Sequence, residues 1–250
     1  MLKSNICPLF SFGSFTFTIF MINSLVYVIL LIFGGFEPNS LTFLATNLDF
    51  LVVYGENSPY FIRFNYEILR LFVSLFLTTG SFQFLLNNFL LIVLGSNFEF
   101  LTDWKTACKI YFFSGIGGEL FSDLLTDYPT IGNAGSLLGL LGGFLSKIFY
   151  IGLTHEVIRA RREILVLLVL VILILTMIIV MFPMFQGLNL IGGFVLGMVS
   201  GFAVVIGQSE RSIYRKYTKI FCIGVGVAFL NVGFVMFFLV RSPVFYQLQG

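Results

Sequence analysis

Covalent chemistry by side chains requires a nucleophile, a base that takes its proton and a donor aimed at any developing negative charge. The 250-residue chain offers few residues for these roles. Its one histidine, His155, precedes the basic run Arg159, Arg161 and Arg162 and reads as a solvated loop residue. Ser136 lies in the stretch TIGNAGSLLGLLGGFLSKIF, two residues past Ala134 and hence about 200° around a helix from it. Lys147 is at the far end of the same stretch, so a Ser–Lys pair is not expected. Asp123 and Asp127 read as solvated loop charges rather than an aspartyl dyad. Glu119, preceded by Gly117 and Gly118, reads as a helix-end carboxylate bonded to a neighbour, with a proton or ion site as the alternative. Cys7, Cys108 and Cys222 show no CxxC or other ligand spacing and read as small hydrophobes. Neither a metal nor a cofactor is expected.

The elements that must hold any such site are membrane helices. The chain is 58% hydrophobic and 10% charged, whereas soluble domains are about 45–50% apolar. Seven stretches are apolar for about the 20 residues that cross a bilayer: 15–34, 80–98, 106–125, 133–151, 163–183, 187–207 and 218–240. The first is longer than a signal-peptide core and no A-x-A-like cleavage site follows it, so it is read as a helix. Lys3, Lys105, Lys109, Lys147, Arg159, Arg161, Arg162, Arg211, Arg215, Lys216 and Lys219 fall on one side of this arrangement, and Arg63, Arg70 and Arg241 on the other. Positive loops stay where insertion begins, which predicts a cytosolic or matrix-side N-terminus and an odd number of spans. The first loop, about 36–79, alternates polar and apolar clusters and is expected to lie in the interface as short helices packed on the bundle. A net charge of only +2 indicates no nucleic-acid footprint, and the basic residues report topology instead.

Several motifs in this order resemble the rhomboid intramembrane proteases and their inactive relatives. In FIRFNYEILRLFVSLFLTTGSFQFLLNNFLLIVLGSNFE, Arg70 takes the place of the Arg in the family's first-loop Trp-Arg, with Leu69 in place of the Trp. Asn87 and Asn88 stand where the second span carries its Asn, and Gly95 with Glu99 match its closing Gly-x-x-x-Glu. YFFSGIGGELFSDLL resembles the third span, the GNAGSLLG stretch the family's G-x-S-G followed by x-x-x-G, and LNLIGGFVLGMVSG its A-H-x-G-G-x-x-x-G. The resemblance runs from about Leu41 to Gly207. It implies an all-α polytopic membrane protein with a rhomboid-like six-helix core over 15–207. The remainder is an N-terminal tail over 1–14 and, over 208–250, a basic loop, a seventh transmembrane helix and a short tail.

The resemblance also implies what is missing. Active members pair a serine on the fourth span with a histidine on the sixth; here these positions read Ala134 and Leu190. The second-span histidine that serves the oxyanion hole reads Gln83, and the histidine commonly five residues earlier reads Thr78. Gln83 and Asn87 are left as a residual polar site. Two small-residue faces persist, Gly135, Gly139 and Gly143 on the fourth span and Gly193, Gly197 and Gly201 on the sixth. Such faces let membrane helices approach closely, so the two spans are expected to meet there. The functional expectation is an inactive rhomboid-like protein that binds other transmembrane proteins without cleaving them, as a subunit of a membrane complex or a client adaptor. A channel or transporter is the alternative and an active serine protease the remote one. The partners expected are the lipid bilayer and other membrane proteins, in the mitochondrial inner membrane or an endomembrane.

Overall fold

The computed structural model of the chain describes residues 12–35, 44–153 and 187–208, together with Gly224, Gly226 and Asn231. The described residues form eight α-helices and no strand: α1 (Phe15–Gly34), α2 (Leu48–Tyr54), α3 (Pro59–Asn65), α4 (Arg70–Val73, running into a 3-10 turn over Ser74–Phe76), α5 (Ser81–Leu101), α6 (Trp104–Leu125), α7 (Ala134–Leu153) and α8 (Gly187–Gln208). By length and composition, Phe15–Gly34, Ser81–Leu101 and Gly187–Val204 suffice to cross a membrane. The protein is an all-α polytopic membrane protein. The span expected at 163–183 and His155 lie outside the described residues, as does the span at 218–240 apart from Gly224, Gly226 and Asn231.

The ends of α1 follow from local chemistry. Ser14 caps it, its hydroxyl accepting from the Phe17 N–H at 3.1 Å, and Gly35 ends it at φ 71°. Phe15, Ile19, Asn23, Tyr27 and Leu30 form its buried stripe, whereas Met21, Leu25, Val28 and Ile32 are exposed. Spacings of three and four put the stripe on one face, and that face packs on α5. Gly95 permits the approach, since a Cβ there would lie 2.6 Å from Thr16 Oγ1. One turn on, the Glu99 carboxylate accepts from the main-chain N–H groups of Phe15 at 3.0 Å and Thr16 at 3.2 Å. A negative group thus satisfies orphan donors at the positive end of a helix dipole.

Between α1 and α5 the chain folds as short helices tied by one guanidinium. Arg70 Nη1 donates to the main-chain carbonyls of Val52 at 2.7 Å and Glu56 at 3.3 Å, and its Nε to Glu67 at 2.5 Å. Its charge also sits 4.4 Å from the centre of the Phe61 ring. Three donors in a rigid fork suit this stapling in a way that a lysine ammonium does not. An isolated antiparallel bridge joins this loop to the segment before α7, with Asn57 N–H to Thr130 C=O at 3.1 Å and the reverse bond at 2.9 Å.

The centre of the bundle is α6, α7 and α8. Without a hydrophobic difference between lipid tails and side chains, such helices associate through close packing and interhelical hydrogen bonds. A Cβ on Gly193 would fall onto the carbonyl oxygen of Gly135, one on Gly197 onto that of Gly139, and one on Gly201 within 2.6 Å of the Gly143 Cα. The two small-residue faces therefore meet in register, one turn per step. Gly142 adds to the seam, its Cβ position lying 2.5 Å from Phe194 O and 2.7 Å from Met198 N. Ser146 Oγ donates across it to Met198 O at 2.8 Å.

Candidate functional site

The turn that enters α7 is built around a glycine. Gly132 has φ 112°, a conformation that side chains resist, and its N–H donates to Ser74 O at 3.0 Å. Two residues later Ala134 opens α7 with 4% of its surface exposed. Its methyl group belongs to a cluster with Leu137, Leu138 and Leu141, and Leu190 packs against the same cluster from α8. The two positions that the resemblance assigns to nucleophile and base thus border one apolar core. Neither side chain carries a proton-transfer group.

Gln83 and Asn87, one turn apart on α5, face this turn from the opposite side. A Cβ at Gly132 would lie 2.7 Å from Gln83 Nε2 and 3.7 Å from Asn87 Nδ2. Gln83 is held at both ends of its amide: its Nε2 donates one of its two hydrogens to Ile131 O at 3.2 Å, and its Oε1 accepts from Thr79 N at 2.8 Å and Thr79 Oγ1 at 2.7 Å. Asn87 differs. It is 1% exposed, and neither Nδ2 nor Oδ1 has a partner among the described residues. Thr78, also buried, has no partner for its hydroxyl, although its carbonyl accepts from Thr46 Oγ1 at 2.9 Å.

Ser136 does not face Ala134's side of α7. It is wholly buried, and a Cβ built on Gly115 would fall onto its hydroxyl, which places it against α6. Lys147 is 13 residues along α7 from Ala134, roughly 20 Å at 1.5 Å per residue. Neither the serine nor the lysine is positioned to replace a dyad.

The acidic residues of α6 require a correction. Asp123 is not a solvated loop charge: it is fully buried inside the last turn and a half of α6. The cause is the first loop, which folds over this end of the helix. Asn57 Nδ2 donates to Asp123 Oδ1 at 2.9 Å, and Arg63 donates to the Asp123 carbonyl at 3.0 Å and to Asp127 Oδ1 at 3.1 Å. Asp127 is accordingly ion-paired rather than free. Glu119 lies well inside α6, also fully buried. It accepts from Asn57 Nδ2 at 2.7 Å, from Asn189 Nδ2 at 2.7 Å and from the Thr130 hydroxyl. One carboxylate therefore joins the first loop, the strap before α7 and the start of α8. Spacing along the sequence carries no sign of this convergence, because its donors come from separate segments. Asn189 sits immediately before Leu190, and its Oδ1 lies where a Cβ on Gly135 would fall.

In the first loop, burial pushes the Glu56 carboxyl above its ordinary range, with the Arg70 charge opposing. Glu67 moves the other way, held down by its hydrogen bond from Arg70.

A family model for the Rhomboid domain matches residues 65–207. The chain is 31% identical over 142 residues to RHOMBOID-like protein 1 of Arabidopsis thaliana, covering 56% of this chain and 36% of that protein. It is 30% identical over 191 residues to the same plant's RHOMBOID-like protein 6, mitochondrial, covering 69% and 61%. With human Inactive rhomboid protein 1 it shares 28% over 178 residues, covering 70% of this chain and 20% of that one. The chain thus corresponds to about a third of the first relative's length and three-fifths of the second's. The matched region takes in α5 to α8, with Gly132 and Ala134 at the turn into α7 and the glycine seam of α7 and α8; the chain belongs to the rhomboid family.

Proposed function

We propose that this rhomboid has lost proteolysis and binds other membrane proteins without cutting them, either as a fixed subunit of a membrane assembly or as an adaptor for clients. The observation that carries this reading is Ala134 at the head of α7, packed in an apolar cluster that Leu190 also touches. A hydroxyl without an adjacent base is a weak nucleophile, and here both partners are hydrocarbon. Gln83 is held by Thr79 and Ile131, and Asn87 beside it is a buried polar group with no partner among the described residues. The relatives include one whose name calls it inactive, which supports the reading at about the same identity as relatives not so named. The relative named mitochondrial supports a mitochondrial location for the membrane, with an endomembrane as the other reading.

The reading is tested by purifying the chain from its own cell in mild detergent and identifying what travels with it, alongside labelling with a serine-directed fluorophosphonate. Stoichiometric membrane partners and no labelling are expected. A discrete complex marks the subunit form, and a mixture of single-span proteins the adaptor form. Stoichiometric labelling that disappears on Ser136→Ala would overturn the loss of proteolysis.

A further inference from the structure

Two cavities in the first loop share Ile68 and Leu69 as a common wall. The first, of about 350 Å³, opens between the end of α2 and the start of α4, and Tyr54, Tyr66, Glu67 and Arg70 line it. The second, of about 350 Å³, runs past Phe72 to Ile116 and Leu120 of α6 and is apolar apart from Asn231. Volumes of this order suit small ligands. The first cavity is rimmed by exposed apolar side chains: Val53, Tyr54, Tyr66 and Leu69 are all more than half exposed. Clustered apolar surface of this kind marks a binding or membrane-facing site, and tyrosines favour headgroup level.

The polar groups of the first cavity are one of each sign. Arg70 is 8% exposed. Its Nε and Nη1 are spent on Glu67 and on the carbonyls of Val52 and Glu56, whereas Nη2 makes no hydrogen bond among the described residues. A guanidinium with donors to spare is a recognition group for phosphate. Glu67 is held in its charged form by Arg70, with 41% of its side chain exposed. Glu56, the other acid near Arg70, does not line the cavity. The charges therefore balance, which complements a zwitterion rather than an anion.

We propose that the two cavities together bind one zwitterionic glycerophospholipid of the phosphatidylcholine type. Its phosphate meets Arg70 Nη2, and its quaternary ammonium lies against the Tyr54 and Tyr66 rings beside the Glu67 carboxylate, an environment that favours such cations. One acyl chain crosses Ile68 and Leu69 and lies along Phe72, Ile116 and Leu120. The lipid thus joins α2, the turn after α3 and α6, and it shares no residue with the turn at Ala134.

The test uses the full chain in maltoside, washed free of copurifying lipid. It is titrated with dioleoylphosphatidylcholine or dioleoylphosphatidylglycerol while thermal unfolding is followed and retained lipid is counted by native mass spectrometry. One phosphatidylcholine per chain is expected, with a saturable rise in Tm of about 3 °C at ten times Kd and several-fold weaker retention of phosphatidylglycerol. Glu67→Gln leaves the Arg70 charge uncompensated and reverses that order. Tyr66→Asn removes one ring at a position whose φ of 58° asparagine accepts, and it weakens phosphatidylcholine retention several-fold. Trp104→Ala, which removes an exposed aromatic outside both cavities, leaves retention unchanged. Equal retention of the two lipids by the parent, an unaltered order in Glu67→Gln, or undiminished phosphatidylcholine in Tyr66→Asn would each overturn the proposal and leave only a non-selective lipid-facing surface.

Discussion

Gly197 and Gly139 meet so closely that a Cβ on the first would occupy the position of the second's carbonyl oxygen. Because that oxygen is main chain inside a helix, no rotamer change makes room; the helices themselves must part. Gly197→Leu and Gly139→Leu are therefore expected to destabilise the fold by about 1–3 kcal/mol or more. Ala134→Ser adds one oxygen two residues past Gly132, the turn that the unpartnered Asn87 amide faces, and is expected to be tolerated. Thermal unfolding and partner co-purification of the three variants in detergent measure this. Equal tolerance of all three would mean that α7 and α8 do not meet through this seam.

Glu99 offers a second measurable contrast. Its carboxylate accepts from Phe15 N, Thr16 N and Thr16 Oγ1 at the first turn of α1. Glu99→Gln keeps the shape but turns an NH2 group toward main-chain donors and removes the charge facing the helix dipole. A loss of about 2 kcal/mol is expected, read as a lower Tm. Glu99→Asp, which keeps the charge but shortens the reach, falls between. A Glu99→Gln variant as stable as the parent would show that α1 does not depend on this cap.

How much of this was legible beforehand depended on how local each signal was. Gly135, Gly139 and Gly143 repeat every four residues, as do Gly193, Gly197 and Gly201, so helix geometry alone puts each set on one face. Gly95 and Glu99 were recognisable as a pair, yet their role needs α1, because the carboxylate's partners lie 83 and 84 residues away. Asp123 was misread because proximity to a helix end suggests solvent, and only the fold shows Asn57 laid over that end. Asn189 has no spacing that marks it in the sequence, although its amide joins α8 to Glu119. Polar residues whose partners come from other segments carry no periodicity, which is why the glycine seam was readable and the acidic centre was not.

The first loop should show a pH signature. Glu56 is buried, and burial holds its carboxyl above the ordinary value, with Arg70 opposing. An acid whose folded value is raised costs stability when ionised, a cost fully present above the folded value and absent below the unfolded one. Glu56→Gln is therefore expected to raise Tm at neutral pH, with the gain shrinking as pH falls toward the ordinary carboxylate range. Parallel Tm–pH curves for the variant and the parent would show that Glu56 is not desolvated as described.

Restoring the missing dyad residues should not restore the protease. Ala134→Ser with Leu190→His supplies a nucleophile and a base, but hydrolysis also needs a donor aimed at the oxyanion, and loss of one such donor costs on the order of 100-fold or more. Gln83, at the position the resemblance assigns to that donor, already gives its Nε2 to Ile131 O and is locked at its other end by Thr79. Freeing it means breaking buried hydrogen bonds that hold the turn before α7. The double variant is expected to leave a rhomboid substrate largely uncut over hours in detergent or liposomes. Adding Gln83→His is expected to raise cleavage above that of the double variant, because the imidazole exchanges the engaged amide for a donor free to turn toward the site. Efficient cleavage by the double variant alone would show that Gln83 does not limit the chemistry and that the site has drifted only at Ala134 and Leu190.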